Sequence, residues 1–284
     1  MMYALRCMVT SSLLVAWGAA AAAGLGLEWE LEGLRMPESV IYDGSAKVLY
    51  VTSMDGSATE KDGNGYISKV GTDGTMQVEK WATGLHAPKG MAIHGGRLYV
   101  ADVDAIAEID IASGKVLNRY EDASAKFMND VAAGPDGTIY ASDTAANRIY
   151  RLRDGKLEVW LEDSALKSPN GLFVDGSRLL VGAMGGFGDD APLGDFLAVS
   201  LEDKSITTLS AGVGHLDGVE PDGKGGYYLT DWPRGKVMHL VPGGQAEILL
   251  EMSQGTADLE VVTEEKRLYL PLMMEGKLQA YALP

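Results

Sequence analysis

Six polar side chains recur at one register along the chain, and together they could bind a cation or activate a water molecule. Each lies about 10 to 12 residues before the third residue of an apolar hexamer, and each opens an apolar segment. The six are Glu38, Lys89, Asn129, Asn170, Asp217 and Asp258. Carboxylate and amide oxygens are ligands for hard metal ions, and carboxylates also accept protons. If the fold brings these side chains together, they form one polar ring.

The hexamers identify the strands that must position this ring. They read VLYVTS (48–53), RLYVAD (97–102), TIYASD (138–143), RLLVGA (178–183), GYYLTD (226–231) and RLYLPL (267–272). A repeat of about 40 to 50 residues built from short strands is typical of a β-propeller, in which each repeat forms one four-stranded blade. The sequence therefore predicts an all-β fold, a six-bladed β-propeller.

The two ends of the repeat array predict how the propeller closes. The sixth repeat reaches Pro284 without a fourth strand, whereas residues 27–34, LEWELEGL, alternate in polarity and precede the first repeat without a partner. Pairing this segment with the sixth repeat removes two unpaired strand edges, which are otherwise prone to aggregation. We therefore predict a single propeller domain over residues 24–284, with blade six closed by an N-terminal strand.

Residues 1–23 are predicted to form a secretory signal peptide. Arg6 precedes an apolar run from Cys7 to Val15, and the alanine tract Ala19 to Ala23 offers small-residue cleavage sites. An uncleaved anchor is the alternative, because the apolar stretch approaches the ~20 residues of a spanning helix. Cleavage predicts a periplasmic or secreted protein, and it would remove Cys7, the single cysteine, so that no disulfide is expected.

The charge of the chain limits its partners. The formal net charge is −16, and such a surface repels nucleic acid and anionic membranes. We therefore expect a small neutral or weakly polar molecule as the partner, no nucleic acid, and no membrane association after signal cleavage. The chain is expected to be a monomer.

The ring itself should attract positive charge. At separations of ~6 Å and an effective dielectric constant of ~20, each pair among Glu38, Asp217 and Asp258 repels by roughly 3 kcal/mol. Lys89 supplies one compensating charge, and the remainder could come from a bound cation or from proton uptake by one acid. Oxygen ligands without cysteine or histidine favour Ca²⁺ over Mg²⁺ or Mn²⁺. The ring therefore predicts a calcium site with Mg²⁺ or Mn²⁺ as alternatives.

Four segments of the chain resemble the senescence-marker-protein/gluconolactonase family of six-bladed calcium propellers. These are residues 37–51, 127–143, 168–182 and 215–231, which follow one another at blade register. In that family and in its relatives, the paraoxonases and diisopropyl fluorophosphatases, a Glu, two Asn and an Asp hold a catalytic divalent ion. The resemblance implies that Glu38, Asn129, Asn170 and Asp217 are the metal ligands, and that the protein hydrolyses a lactone or related ester.

The remaining candidate residues follow from their proximity to this ion. Asp217 is a candidate base as well as a ligand, and His215, two residues earlier, is a candidate proton-transfer group. Lys89, Asn129, Phe127 and Asp258 are expected to contact the substrate or to tune the site. Phe127 stands where sugar-lactonase members of the family carry an arginine, which argues against an aldonolactone substrate. A non-catalytic binding propeller that is merely stabilised by the ion is the alternative function.

Strand-two carboxylates have a simpler expected role. Asp102, Asp143 and Asp231 each end a predicted second strand. Short acidic side chains at such positions usually accept hydrogen bonds from backbone amides of nearby loops. We predict that these three cap loops and do not act directly in chemistry.

Overall fold

The computed structural model describes residues 25–284 except residues 187 and 189. The predicted signal peptide, residues 1–23, lies outside the described residues. Twenty-four strands form six antiparallel sheets of four strands each. Blade 1 contains β2 (Pro37–Asp43), β3 (Val48–Ser53), β4 (Gly65–Gly71) and β5 (Met76–Leu85). Blade 2 contains β6 (Pro88–His94), β7 (Arg97–Asp102), β8 (Ala105–Asp110) and β9 (Lys115–Glu121). Blade 3 contains β10 (Met128–Ala133), β11 (Ile139–Asp143), β12 (Arg148–Arg153) and β13 (Lys156–Glu162).

The second half of the chain repeats this order. Blade 4 contains β14 (Pro169–Asp175), β15 (Arg178–Ala183), β16 (Gly194–Ser200) and β17 (Ile206–Gly214). Blade 5 contains β18 (Leu216–Pro221), β19 (Tyr227–Asp231), β20 (Lys236–Leu240) and β21 (Glu247–Glu251). Blade 6 contains β22 (Glu260–Val262), β23 (Arg267–Leu272), β24 (Lys277–Ala282) and β1 (Gly26–Glu32). The predicted six-bladed propeller is confirmed.

Blade 6 closes the ring with the first strand of the chain. β1 pairs antiparallel with β24 from Gly26 opposite Ala282 to Glu32 opposite Lys277. Trp29 fastens this strand to blade 1, because its indole Nε1 donates a 3.0 Å hydrogen bond to the Thr72 carbonyl oxygen. The predicted closure by an N-terminal strand is therefore confirmed, and no edge of β24 is left open.

The core consists of apolar side chains packed between neighbouring blades. Aromatic residues of the second strands contribute much of it: the ring of Tyr50 lies 4.4 Å from that of Trp81, and the ring of Tyr140 lies 5.1 Å from that of Trp160. Such pairs stabilise a core beyond the area that they bury. These second-strand tyrosines therefore serve in packing.

Tight turns join the strands as their sequences require. In the hairpin between β12 and β13, Asp154 and Gly155 have φ values of 51° and 73°, the left-handed pair that a two-residue hairpin favours. The described chain also has two short 3₁₀ helices, Ser164–Leu166 and Met273–Glu275. Within residues 25–284 apart from 187 and 189, no helix has the length and apolar character needed to cross a membrane.

Candidate active site and metal centre

A one-residue bulge occurs at the start of the first strand of every blade. In blade 1, Pro37 faces Ser53 but Val40 faces Val51, so that one extra residue separates the two pairs on the first strand. The same shift occurs in blades 2 to 5. In blade 6 it separates the pair Thr256 and Leu272 from the pair Glu260 and Tyr269. Bulges often re-aim side chains next to active sites, and here the bulged residues are those of the polar ring.

This register corrects the sixth member of the ring. Counted from the bulge, the position equivalent to Glu38 is occupied by Ala257, so the predicted placement of Asp258 in the ring is wrong. Asp258 lies one residue deeper, beside Ser39, whose hydroxyl donates a 2.7 Å hydrogen bond to Asp258 Oδ2. The Asp258 amide also donates to the Glu38 carbonyl oxygen at 2.9 Å. Asp258 therefore joins blades 6 and 1 and does not line the ring's cavity.

Hydroxyl groups of the second strands hold three of the bulges in place. Thr52 Oγ1 accepts from the Ser39 amide at 2.9 Å, Ser142 Oγ from the Asp130 amide at 2.9 Å, and Thr230 Oγ1 from the Gly218 amide at 2.7 Å. These amides directly follow Glu38, Asn129 and Asp217. The sequence carries a signal for this hydrogen bond that did not enter the prediction: a Ser or Thr is the penultimate residue of the second-strand hexamer in blades 1, 3 and 5.

Five of the six predicted ring residues share one cavity of about 660 Å³. They are Glu38, Lys89, Asn129, Asn170 and Asp217. Phe127 and His215 line the same cavity, as predicted for side chains two residues before Asn129 and Asp217. The fold therefore gathers into one cleft residues that lie up to about 180 positions apart in the sequence.

Three buried oxygens of this cavity lack any hydrogen-bond partner among the described residues. They are Glu38 Oε2, Asn129 Oδ1 and Asn170 Oδ1. The amide nitrogens are engaged elsewhere: Asn170 Nδ2 donates to Asp217 Oδ1 at 3.0 Å, and Asn129 Nδ2 donates to Thr144 Oγ1 at 3.3 Å. A buried polar atom without a hydrogen-bond partner lowers the stability of the fold by about 1–3 kcal/mol. Three such acceptors in one cavity therefore indicate that a positively charged group binds there.

The donor set fits a hard divalent cation. Glu38 and Asp217 supply carboxylates, while Asn129 and Asn170 supply amide oxygens, which are the ligands that Ca²⁺ and Mg²⁺ prefer. Within the described part of the chain, no three His, Cys, Asp or Glu side chains are grouped as a metal site. Half of this donor set is amide, and four protein oxygens leave coordination positions for water or a substrate oxygen.

Burial disfavours the ionised carboxylates of this cavity. Glu38 and Asp217 are 3% and 4% exposed. Burial, together with the negative charges of Asp217 and Asp258, raises the pKa of Glu38 well above its usual range. Burial and the negative charge of Asp258 likewise raise the pKa of Asp217, although the hydrogen bond from Asn170 lowers it. A cation among these oxygens would favour the ionised forms.

Lys89 is held by backbone carbonyl oxygens and forms no ion pair with the part of the chain that the structure describes. Its side chain is 1% exposed, and its Nζ donates 2.9 Å hydrogen bonds to the carbonyl oxygens of Ala58 and Ala87. The ammonium group also lies 4.7 Å from the centre of the Phe127 ring. Burial lowers the pKa of Lys89 to about 8, although Glu38 and Asp102 oppose this shift. Lys89 thus ties the loop after β3 to the ring.

Removal of this charge should tighten cation binding. For Lys89→Met we expect the apparent Ca²⁺ affinity to rise at least about tenfold, because a fixed positive charge near Glu38 repels a divalent ion. Isothermal titration calorimetry measures this affinity. Lys204→Met is a matched control, since Lys204 Nζ also donates to a carbonyl oxygen, that of Trp160 at 2.8 Å, and lies over the ring of the same residue. Equal or weaker Ca²⁺ binding by Lys89→Met would show that the charge of Lys89 does not act on this site.

His215 is held in one orientation. Its Nδ1 lies 2.7 Å from the carbonyl oxygen of Met184. A carbonyl oxygen only accepts, so Nδ1 carries the proton and Nε2 of the neutral ring keeps a lone pair. The side chain is 5% exposed and lines the cavity with Asp217. His215 can therefore accept a proton from a group bound in the cavity.

The strand-two aspartates cap loops, as predicted. Asp143 accepts hydrogen bonds from the amides of Lys126 and Phe127 at 2.8 and 3.0 Å. Asp102 does the same for His86 and Ala87, at 2.9 and 2.8 Å, and Asp231 accepts from Arg234 at 3.2 Å. These carboxylates fix the loops that carry Phe127 and flank the cavity mouth.

A second group of carboxylates lies below the ring, and of its members only Asp258 was among the predicted site residues. Asp130, Glu220, Asp258 and Glu260 line one cavity of about 510 Å³. Burial and the charge of Asp258 raise the pKa of Glu260 to about 8. Burial and the charges of Glu260, Asp258 and Asp130 raise the pKa of Glu220 well above its usual range. Asp130 and Asp258 lie within the bulges of blades 3 and 6. Glu220 and Glu260 lie two to three residues after the bulged residues of blades 5 and 6.

This charge predicts a loss of stability as the pH rises. Because the pKa of Glu260 is raised in the folded state, the folded protein binds the proton more tightly than the unfolded chain does between pH 4.5 and about 8. The free energy of unfolding should therefore be highest at the acidic end of this window and fall with rising pH, by on the order of 1 kcal/mol per unit. Urea unfolding at pH 5.5 and 8.5 with chelator present measures this change.

Glu260→Gln should make the pH profile less steep, because an amide does not titrate while Glu220 and the ring carboxylates still do. Glu247→Gln removes the same charge from an exposed position on β21 and should leave the profile unchanged. A profile for Glu260→Gln as steep as that of the wild type would contradict the assignment to Glu260.

Solved propeller structures resemble the chain over nearly its whole length. A gluconolactonase from Xanthomonas campestris superposes with a TM-score of 0.69 at 18% identity, covering 93% of this chain and 96% of that one. A catalytically inactive virginiamycin B lyase from Staphylococcus aureus with quinupristin has a TM-score of 0.62 at 14% identity, covering 90% and 99%. A streptogramin B lyase has a TM-score of 0.64 at 11% identity, covering 92% and 98%.

These likenesses establish the fold. The chain is an all-β propeller of the type found in a gluconolactonase and in streptogramin-type lyases. No protein-family model and no curated protein matches its sequence. Identities below 20% carry the fold and not the activity, because one fold hosts many chemistries.

Proposed function

We propose that this protein is an exported, calcium-dependent hydrolase of a lactone or related ester. The observation that carries the proposal is the set of three unpartnered buried oxygens, on Glu38, Asn129 and Asn170, which adjoin Asp217 in one cavity. The same four residues are those that the family resemblance implies as ligands. Mg²⁺ and Mn²⁺ are alternative ions for the same oxygens.

The chain's own residues provide proton transfer beside this ion site. When bound, a divalent cation polarises a carbonyl oxygen as a Lewis acid. His215 Nε2 or the Asp217 carboxylate accepts a proton from a water molecule, whose oxygen forms a bond to the carbonyl carbon. The ester C–O bond then breaks, and the proton passes to the departing alkoxide. A lactone and one water thus give one hydroxy acid.

Lys89 and Phe127 have positioning roles in this proposal. Lys89 holds the loop that contains Ala58 against the cavity, and its ammonium packs on the Phe127 ring. The Asp143 carboxylate fixes the backbone of Phe127. Together they keep one wall of the cleft in place. Asn129 contributes to the floor that a substrate would contact.

A metal-stabilised binding propeller is the second candidate. It is supported by the origin of Glu38, Asn129, Asn170 and Asp217, which lie on the first strands of four different blades. In that case the ion would join the blades, and the cavity would retain a small molecule without changing it. Export by the predicted signal peptide, residues 1–23, is compatible with both functions, and mass spectrometry of the mature protein would identify the cleavage site.

Removal of divalent ions separates the two candidates. At a Ca²⁺ concentration of 100 times Kd, binding should stabilise the fold by about 2.7 kcal/mol, which raises Tm by roughly 5–10 °C for a domain of this size. We expect chelation to lower Tm by this amount and to abolish hydrolysis of at least one compound in a panel of lactones, aryl esters and phosphotriesters. Stabilisation without turnover would favour the binding propeller. No effect of Ca²⁺ on either property would reject the ion site.

A further inference from the structure

A second ring of side chains lies above the polar ring and differs from it in chemistry. In every blade the last residue of the second strand pairs with the residue just before the bulge of the first strand. The residue that follows the second strand therefore occupies the same position in all six blades. The six residues, which we call the collar, are Met54, Val103, Thr144, Met184, Trp232 and Met273. Five of the six are apolar, and Thr144 is occupied by its hydrogen bond from Asn129.

The collar is continuous with other apolar walls of the cleft. Met54, Val103 and Met273 pack with Ala87 and Ala257 in one cluster, against which Met36, Ala58 and Trp232 also pack. Met54, Met184, Trp232 and Met273 line the cavity together with Met36, Phe127 and Met274. A polar floor of Glu38, Asn129, Asn170 and Asp217 therefore lies beneath a wall that is largely methionine and aromatic.

This wall offers few partners for a substrate rich in hydroxyl groups. Above the polar ring, hydrogen-bonding side chains among the described lining residues are His215, Arg234, Gln254 and the indole N–H of Trp232. Arg234 already pairs with Asp231 at 3.6 Å and has a half-exposed side chain. A hydroxyl buried without a partner costs roughly tenfold or more in affinity, so a polyol would bind poorly here.

An alkyl chain suits this cleft because it packs on apolar side chains and needs no hydrogen-bond partner. Methionine side chains are unbranched and polarisable and adapt to flexible apolar groups. A cavity of about 660 Å³ lies within the usual range for small organic ligands, which commonly bind apolar walls and a few polar groups. We propose that the substrates are lactones with an alkyl substituent, whose carbonyl contacts the polar ring while the alkyl chain packs on the collar. This inference rests on the proposed hydrolysis and names its substrate class.

Chain length provides the first test. With γ-lactones that carry hydrogen, butyl, hexyl or octyl substituents, kcat/KM should rise by up to about fourfold per added methylene until the cavity is filled. Gluconolactone should be the poorer substrate by at least about 100-fold. A kcat/KM that is independent of chain length, or faster hydrolysis of gluconolactone, would overturn the proposal.

A single substitution assigns the effect to the collar. Met184→Gln keeps the length of the side chain and the carbonyl oxygen that His215 uses, but it places an amide among apolar groups. The gain per methylene should fall to about twofold or less, while the Ca²⁺-induced rise in Tm is retained. Met252→Gln is the matched control, because Met252 is half-buried and lies outside the cavity. If the increase in kcat/KM per methylene is unchanged in Met184→Gln, the alkyl chain of the substrate binds elsewhere.

Binding of inert analogues separates this inference from the proposed reaction. The corresponding γ-lactams present the same ring and chain with an amide that resists hydrolysis, and calorimetry with Ca²⁺ present measures their affinity. Affinity that rises with chain length in the wild type and less in Met184→Gln supports the collar even if no lactone is turned over, in which case the hydrolysis alone fails. Lactam affinity that does not depend on chain length refutes the collar even if lactones are hydrolysed.

Discussion

Asp217→Asn is expected to lose both the stabilisation by Ca²⁺ and about 10³-fold of kcat/KM for the best ester or lactone substrate. The amide oxygen can still accept the hydrogen bond from Asn170 Nδ2, so the local packing is conserved. What is lost is one of two negative charges among the proposed ligands and one candidate base. Loss of a single preorganised electrostatic group typically costs 10²–10³ in rate, and weaker ion binding adds to this.

Differential scanning fluorimetry with and without Ca²⁺, combined with steady-state kinetics, measures both effects. Glu220→Gln is the matched control, because Glu220 lies on the same strand, β18, but lines the opposite cavity. We expect this control to keep the Ca²⁺-induced rise in Tm. If Asp217→Asn also keeps it at wild-type Ca²⁺ concentrations, Asp217 is not a ligand of the ion.

His215→Gln is expected to lower kcat by about 10²–10⁴-fold and to leave the stabilisation by Ca²⁺ intact. Glutamine can still donate a hydrogen bond to the Met184 carbonyl oxygen, but it cannot accept a proton near neutral pH. A positioned general base contributes about this factor to a rate. His215 is not among the unpartnered oxygen donors, and the ion should therefore bind equally well.

His215 is the general base only if its substitution lowers kcat without changing the stabilisation by Ca²⁺. His239→Gln is the control, since His239 binds Asp222 at 2.8 Å on the outer part of blade 5 and should not affect kcat. A loss of both kcat and Ca²⁺ stabilisation in His215→Gln would indicate a structural role for His215. Normal kcat with normal stabilisation would leave Asp217 as the proton acceptor.

The pattern of the sequence was sufficient to predict the architecture. Alternating apolar residues, glycine turns and six similar hexamers gave the blades, and the unpaired segment at 27–34 gave the closure by β1. These features are local: side-chain alternation and turn chemistry act within a few residues. The same register placed Glu38, Asn129, Asn170 and Asp217 at one depth, so their shared cavity could be predicted as well.

The position of Asp258 could not be predicted by counting. Its distance from the hexamer matches that of the ring residues, but the turn between the first and second strands differs in length from blade to blade, and Ala257 takes the sixth ring position. A one-residue offset in a strand moves a side chain to another layer. A turn can be one residue longer or shorter without any sign in the sequence spacing. Only the hydrogen-bond register of the strands shows which residue takes the ring position.

The sequence by itself determined the number of blades, their closure and the position of Glu38, Asn129, Asn170 and Asp217 in one cavity. The tertiary structure alone decided that Lys89 turns to the Ala58 and Ala87 carbonyl oxygens, that three donor oxygens remain unpartnered, and that the collar is apolar. The reason is physical. Strand periodicity is encoded in neighbouring residues, whereas the orientation of a buried charge depends on desolvation and on partners from other blades, whose distances no local pattern contains.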